Sequence, residues 1–125
     1  MKEGAFDAVS GATATSRIMT MVLEGELDRH EAADICRMLS QLALDGTVEV
    51  VVDFDGVSHL DYRGVPGLVA QAEALRARGG DLKLSGLSPY LHAIFRSAGA
   101  HAAFDYFADS GEARRSFERG VLLYG

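Results

Sequence analysis

Apolar residues recur along this chain with two alternating periods. Over Ser16 to Glu24, the residues Ile18, Met19, Met21, Val22 and Leu23 form a short β-leaning run that predicts a strand. Ala5 to Val9 predicts a weaker edge strand before it, across the small, polar stretch Ser10 to Thr15. The spacing then changes. Ala32, Ile35, Cys36, Leu39, Leu42 and Ala43 line one face of a helical period, so an amphipathic helix is expected with Cys36 on its buried side. Asp45-Gly46 breaks it. Val48 to Phe54 is β-branched and almost continuously apolar, the pattern of a central strand covered on both faces.

A loop is expected from Asp55 to Asp61, and Val65, Leu68, Val69, Ala72 and Leu75 then return to helical spacing until Gly79-Gly80 supplies a left-handed stop. Asp81 to Ser85 predicts a short strand. Ser88-Pro89 predicts a helix start, because a serine oxygen accepts from free amides while proline fits the first helical position. Leu91, Ile94, Phe95 and Ala98 give that helix its inner face, and Gly99 ends it. Ala103 to Phe107 predicts a last strand, and Asp109-Ser110 caps a final helix with Ala113 and Phe117 inside. Helices and strands that alternate in this way call for right-handed crossovers and a mostly parallel sheet, with the first hairpin-like pair adding a mixed edge. The fold class is therefore α/β, about five strands packed against about four helices.

The length of 125 residues suits one domain over residues 1–125, with its core at about 5–118. The apolar stretch at 119–125 reads as a tail able to dock on its own domain or on a second copy, which leaves self-association open. A net charge of −6 argues against nucleic acid as the main partner, because phosphate contacts require clustered cations. The single cysteine excludes an internal disulfide. No apolar run approaches the ~18 residues of a membrane span, and Met1-Lys2-Glu3-Gly4 lacks a signal-peptide core. A cytoplasmic protein with no direct membrane insertion is expected.

Candidate chemistry is sparse. Asp53-Phe54-Asp55-Gly56-Val57 after a hydrophobic strand looks like the nucleophile motif of haloacid-dehalogenase-type phosphatases. That chemistry also needs a lysine and further carboxylates to hold magnesium, whereas only Lys2 and Lys83 occur and no later paired acids follow. Asp53 and Asp55 are better read as strand-end residues satisfying loop amides. His30, His59, His92 and His101 show no helical ligand spacing, so no metal site and no cofactor are expected. Ser58 and His59 near Asp61 lack a nucleophile elbow, and Cys36 reads as an inert core thiol. Arg114, Arg115 and Arg119 form a small basic patch read as complementing the last turn of a helix.

The segment Phe54-Asp55-Gly56-Val57-Ser58-His59-Leu60-Asp61-Tyr62-Arg63-Gly64-Val65, followed by Leu84-Ser85-Gly86-Leu87-Ser88-Pro89, resembles the STAS family of bacterial anti-sigma factor antagonists and their relatives. Gly25-Glu26-Leu27-Asp28 and Ala98-Gly99 extend the resemblance over roughly residues 5 to 118. It implies a non-catalytic protein switch, in which a serine at the start of the second helix is phosphorylated by a histidine-kinase-like ATPase that is also the anti-sigma factor. The family pattern there is Asp-Ser-Ser-Gly, with the second serine as acceptor. This chain has Asp61-Tyr62-Arg63-Gly64, so Arg63 stands at the phospho-acceptor-equivalent position.

Physical chemistry gives that difference weight. A helix N-terminus carries roughly +0.5 charge and favours anions, so Arg63 gains nothing from it, and its guanidinium should reach for water or for an acid such as Asp55 or Asp61. Arginine neither accepts a phosphate from a serine kinase nor mimics one. Pro66 biases Val65 away from helical dihedrals, so the regular helix should start at Val65 or Pro66, leaving Asp61 to Gly64 as an exposed turn with free amides. The expected partner surface comprises Ser58, His59, Asp61, Tyr62, Arg63 and Gly64, with Leu27, Asp28 and Ser88 beside them. STAS-like domains also serve as accessory or sensor domains of transporters and signalling scaffolds, or bind small ligands, and this is the alternative reading.

Overall fold

The computed structural model describes residues 9–15 and 17–124, apart from the side chains of 10–15 and 119–124. Its single sheet has five strands lying side by side in chain order. The strands are β1 (Val9–Thr15), β2 (Ile18–Leu27), β3 (Glu49–Leu60), β4 (Asp81–Ser85) and β5 (Tyr106–Phe107). β1 runs antiparallel to β2, and every later pairing is parallel. The helices are α1 (Arg29–Leu44), α2 (Val65–Ala77), α3 (Pro89–Ser97) and α4 (Ser110–Tyr124), with short 3₁₀ turns at Tyr62–Gly64 and His101–Ala103. The expected α/β class and mixed, mostly parallel sheet are what the chain adopts.

Period-two alternation in β3 and β4 sorts the side chains to two faces. Val50, Val52 and Phe54 meet Leu82 and Leu84 in a core covered by α1, α2 and α3, where Ile35, Leu39, Leu68, Leu75, Leu91 and Phe95 are buried. Val51 faces the other way and packs with Ile18, Ala113 and Phe117 beneath α4 alone. Polar contacts help to hold α4 there. Lys83 donates from Nζ to Ser116 Oγ at 2.5 Å and lies 4.3 Å from the Phe117 ring centroid, and Arg114 donates to Thr20 Oγ1 at 2.7 Å.

Several boundaries differ from the sequence reading, and β2 runs on to Leu27 rather than ending at Glu24. The first strand is Val9–Thr15 rather than Ala5 to Val9, of which residues 5–8 lie outside the described part. A hairpin ladder joins main chains, so small residues serve it as well as apolar ones. β3 continues through the expected loop to Leu60, whereas β5 is confined to Tyr106–Phe107 because Ala103 closes a 3₁₀ turn. The backbone of α4 runs on to Tyr124, so 119–124 continues the helix instead of forming a separate tail. Arg114 and Arg115 consequently lie in its first half, not its last turn, and Arg114 serves Thr20 rather than the helix dipole.

Candidate functional site

The site stands on a ribbon that overhangs the sheet. β4 pairs with β3 only as far as Asp53↔Ser85, but β2 and β3 stay paired through Leu27↔Leu60. Irregularities between Val22 and Glu24 and between Gly25 and Glu26 break strict alternation, so the buried positions of β3 become Phe54, Val57 and Leu60. Gly25, at φ 91°, supplies the left-handed backbone that one of these shifts uses. Ser58 and His59 are exposed on this ribbon rather than on a loop.

Asp61 ends the ribbon. Its amide donates to Leu27 O at 2.9 Å, tying the two strand ends together. Its carboxylate then caps the 3₁₀ turn, Oδ1 accepting from the Arg63 amide at 2.9 Å. The Arg63 guanidinium folds back onto the same group, from Nε to Oδ1 at 3.0 Å and from Nη2 to Oδ2 at 2.7 Å. This two-pronged hydrogen bonding lowers the Asp61 pKa to about 2, and the carboxylate in turn holds the guanidinium protonated. Arg63 thus takes the acid two residues away, one of the two partners expected. The regular helix begins at Val65, with Pro66 inside its first turn where an amide is dispensable. The amides before it are not free, however: Gly64 donates to Asp61 O and Val65 to Tyr62 O, in a 3₁₀ pattern.

Between this turn and α3 lies a groove of about 530 Å³. Leu60 and Ile94 supply its apolar lining, while Tyr62 and Tyr90, 61% and 52% exposed, stand over it. His59 Nδ1 and the Tyr90 hydroxyl share a hydrogen bond at 2.6 Å, with the rings stacked 5.8 Å apart. The ribbon is therefore fastened to α3 across the groove.

The structure brings His59, Asp61, Tyr62 and Arg63 to the groove, whereas Ser58 is exposed on the ribbon without lining it. Leu27 is 1% exposed and belongs to the core, contributing only its carbonyl. Gly64 is buried against α1, where a Cβ would come within 2.5 Å of the Ala32 Cβ. Asp28 caps α1 in a reciprocal box with Glu31, and Ser88 Oγ caps α3 by accepting from Leu91. Those two side chains are committed to helix ends. Sequence reasoning missed Tyr90, Ala93 and Ser97, and assigned Ile94 to the core alone. Their spacing on one helical stripe that starts at an exposed tyrosine was the available signal.

Asp53 and Cys36 sit in structural settings. Asp53 Oδ1 accepts the Asp55 amide at 3.0 Å, but at an irregularity inside β3 rather than at a strand end as expected. Cys36 is half-buried beside α2, and burial pushes its thiol up to about 11. Among the described residues, no helix is long and apolar enough to cross a membrane.

The model of the family described as "Mlab, STAS domain" matches residues 10–104. The chain belongs to the STAS-domain family. An anti-sigma-B factor antagonist of Staphylococcus aureus is 25% identical over 87 residues, 70% of this chain and 81% of that relative. The crystal structure of an anti-sigma factor antagonist from Mycobacterium paratuberculosis superposes with a TM-score of 0.74 at 18% identity, covering 88% of this STAS chain and 94% of that one. The murine Solute Carrier 26 family member A9 anion transporter also contains the fold. It gives a TM-score of 0.72 at 14% identity over 86% of this chain but only 18% of the transporter.

Proposed function

We propose that this STAS domain is a non-catalytic protein-interaction module of the anti-sigma factor antagonist type, standing outside serine phosphorylation at the usual place. The observation that carries the reading is Arg63. By its resemblance to the family motif it stands where the phospho-acceptor would be, and its fork is bound to Asp61, which leaves at that position no hydroxyl to modify and no free anion to stand in for phosphate. Exposed Tyr62 and Tyr90 beside an arginine give the surface the residue types that dominate binding hot spots. The partner proposed is a histidine-kinase-like ATPase, bound in the cytoplasm across the turn and the groove.

Affinity capture of the tagged native chain beside Arg63→Glu and Tyr62→Ala variants tests this, with mass spectrometry of partners and modifications. The expected result is a kinase-like ATPase recovered by the native chain, weakened in both variants, with no phosphate on the chain after incubation with ATP. Phosphate on Ser58 or Ser88 would overturn the unregulated part of the reading. Recovery of a transporter by all three forms would replace the antagonist with an accessory domain.

A further inference from the structure

A second constellation on α3 lies off the stripe that lines the groove. His92 Nδ1 and His101 Nε2 approach to 2.9 Å, although nine residues separate them in the chain. Three elements fix the two rings. His92 projects from α3, His101 from the 3₁₀ turn, and Tyr106 from β5 packs against both. The His101 ring stacks on Tyr106 at 4.5 Å and 17°, and the Tyr106 hydroxyl donates to the His101 carbonyl at 2.6 Å. Tyr106 also meets His92 at 4.8 Å and 60°. Both imidazoles are half-buried, so their rotamers are restricted by packing rather than free in water.

We propose that His92 Nδ1 and His101 Nε2 form a chelating pair for a divalent late transition-metal ion, with water completing the coordination shell. The argument is geometric. Two imidazole nitrogens at ~2.05 Å from one ion are about 2.9 Å apart on adjacent corners of a square plane and about 3.3 Å apart on a tetrahedron. The observed separation matches the first arrangement, which Cu²⁺ and Ni²⁺ favour, and both rings turn off the N–H···N line so that their lone pairs converge on the ion. The hydrogen bond holds one N–H between the rings. The ring that donates it shifts to its other tautomer, which exposes a lone pair without releasing a proton or changing any oxidation state. No third histidine, cysteine or carboxylate joins the pair among the described residues, so the ligand set is two nitrogens and water. Such a set selects by the general affinity order, Cu²⁺ above Ni²⁺ and Zn²⁺.

The test uses the untagged full chain at neutral pH, titrated calorimetrically with Ni²⁺ and followed with Cu²⁺ by electron paramagnetic resonance. One equivalent should bind, with hyperfine structure from two nitrogens. His92→Asn and His101→Asn should each weaken binding at least about tenfold, and His30→Ala should not. A measurement on the native chain does not depend on the variants folding. Substoichiometric Cu²⁺ should broaden the ring-proton resonances of His92 and His101 before those of His30 and His59. Broadening first at His30 or His59, native-like binding in both Asn variants, or no binding by the native chain would overturn the proposal.

Discussion

Both carboxylate oxygens of Asp61 are occupied by a single arginine two residues further on, which ties the pH behaviour of the turn to Arg63. The ordinary value for such a carboxyl is 3.8, and here it is lowered to about 2, first by the side-chain hydrogen bond from Arg63. A group depressed on folding adds its stability above its unfolded value and loses it as pH falls through the folded value. The contribution is thus complete above about pH 4 and is lost toward pH 2. Arg63→Ala should raise the Asp61 value part of the way toward 3.8, since the amide of residue 63 still donates to the carboxylate, and should weaken the acid dependence across that window, read by carbon-detected carboxyl titration. Arg63→Lys should fall between the two, since a point charge lacks the fork. This pairing was half legible in the sequence. A cation at a helix start has to look for an anion, but Asp55 was an equal candidate until the cap geometry aimed the Asp61 carboxylate back along the turn.

At the scale of elements, caps and breakers made α1, α2 and α3 readable. Ser88 with Pro89, and Pro66 in the first turn, act where the local pattern placed them, whereas the cap that Asp28 forms with Glu31 was not read and Asp28 was assigned to the partner surface. The end of β3 was not readable in that way. Asp55-Gly56-Val57-Ser58-His59 contains turn formers and little β propensity, yet pairing with β2 carries the strand through it. Ladder hydrogen bonds and the burial of Val57 and Leu60 outweigh local preference there. The junction that follows is tight, since Gly64 lets the start of α2 approach α1 closely. Gly64→Ala would place a methyl 2.5 Å from the Ala32 Cβ. It should cost about 1–3 kcal/mol in urea unfolding, the usual range for overpacking. Gly64→Ala combined with Ala32→Gly should recover part of that loss, which separates the clash from a backbone effect.

Across the whole molecule the two faces of the sheet are unequally clad, with three helices over one and α4 over the other. Phe117 anchors the thinner side and lies against the Lys83 ammonium, so Phe117→Ala should remove about 3–5 kcal/mol in urea unfolding. The groove was the least legible feature of all. It exists only where the ribbon end meets α3, a contact between segments about thirty residues apart, and no local pattern in either segment announces the other. The strand order carries a further consequence. From β2 to β5 each strand lies beside its chain neighbour, and α1, α2 and α3 make the connections over a single face. Open α/β sheets form their ligand crevice at a switch point, where the strand order reverses and consecutive connections part to opposite faces. A sheet that advances in one direction never opens that gap. The surface proposed for recognition accordingly stands outward, on a projecting strand end and a helix flank, where Tyr62 and Arg63 are exposed above the core.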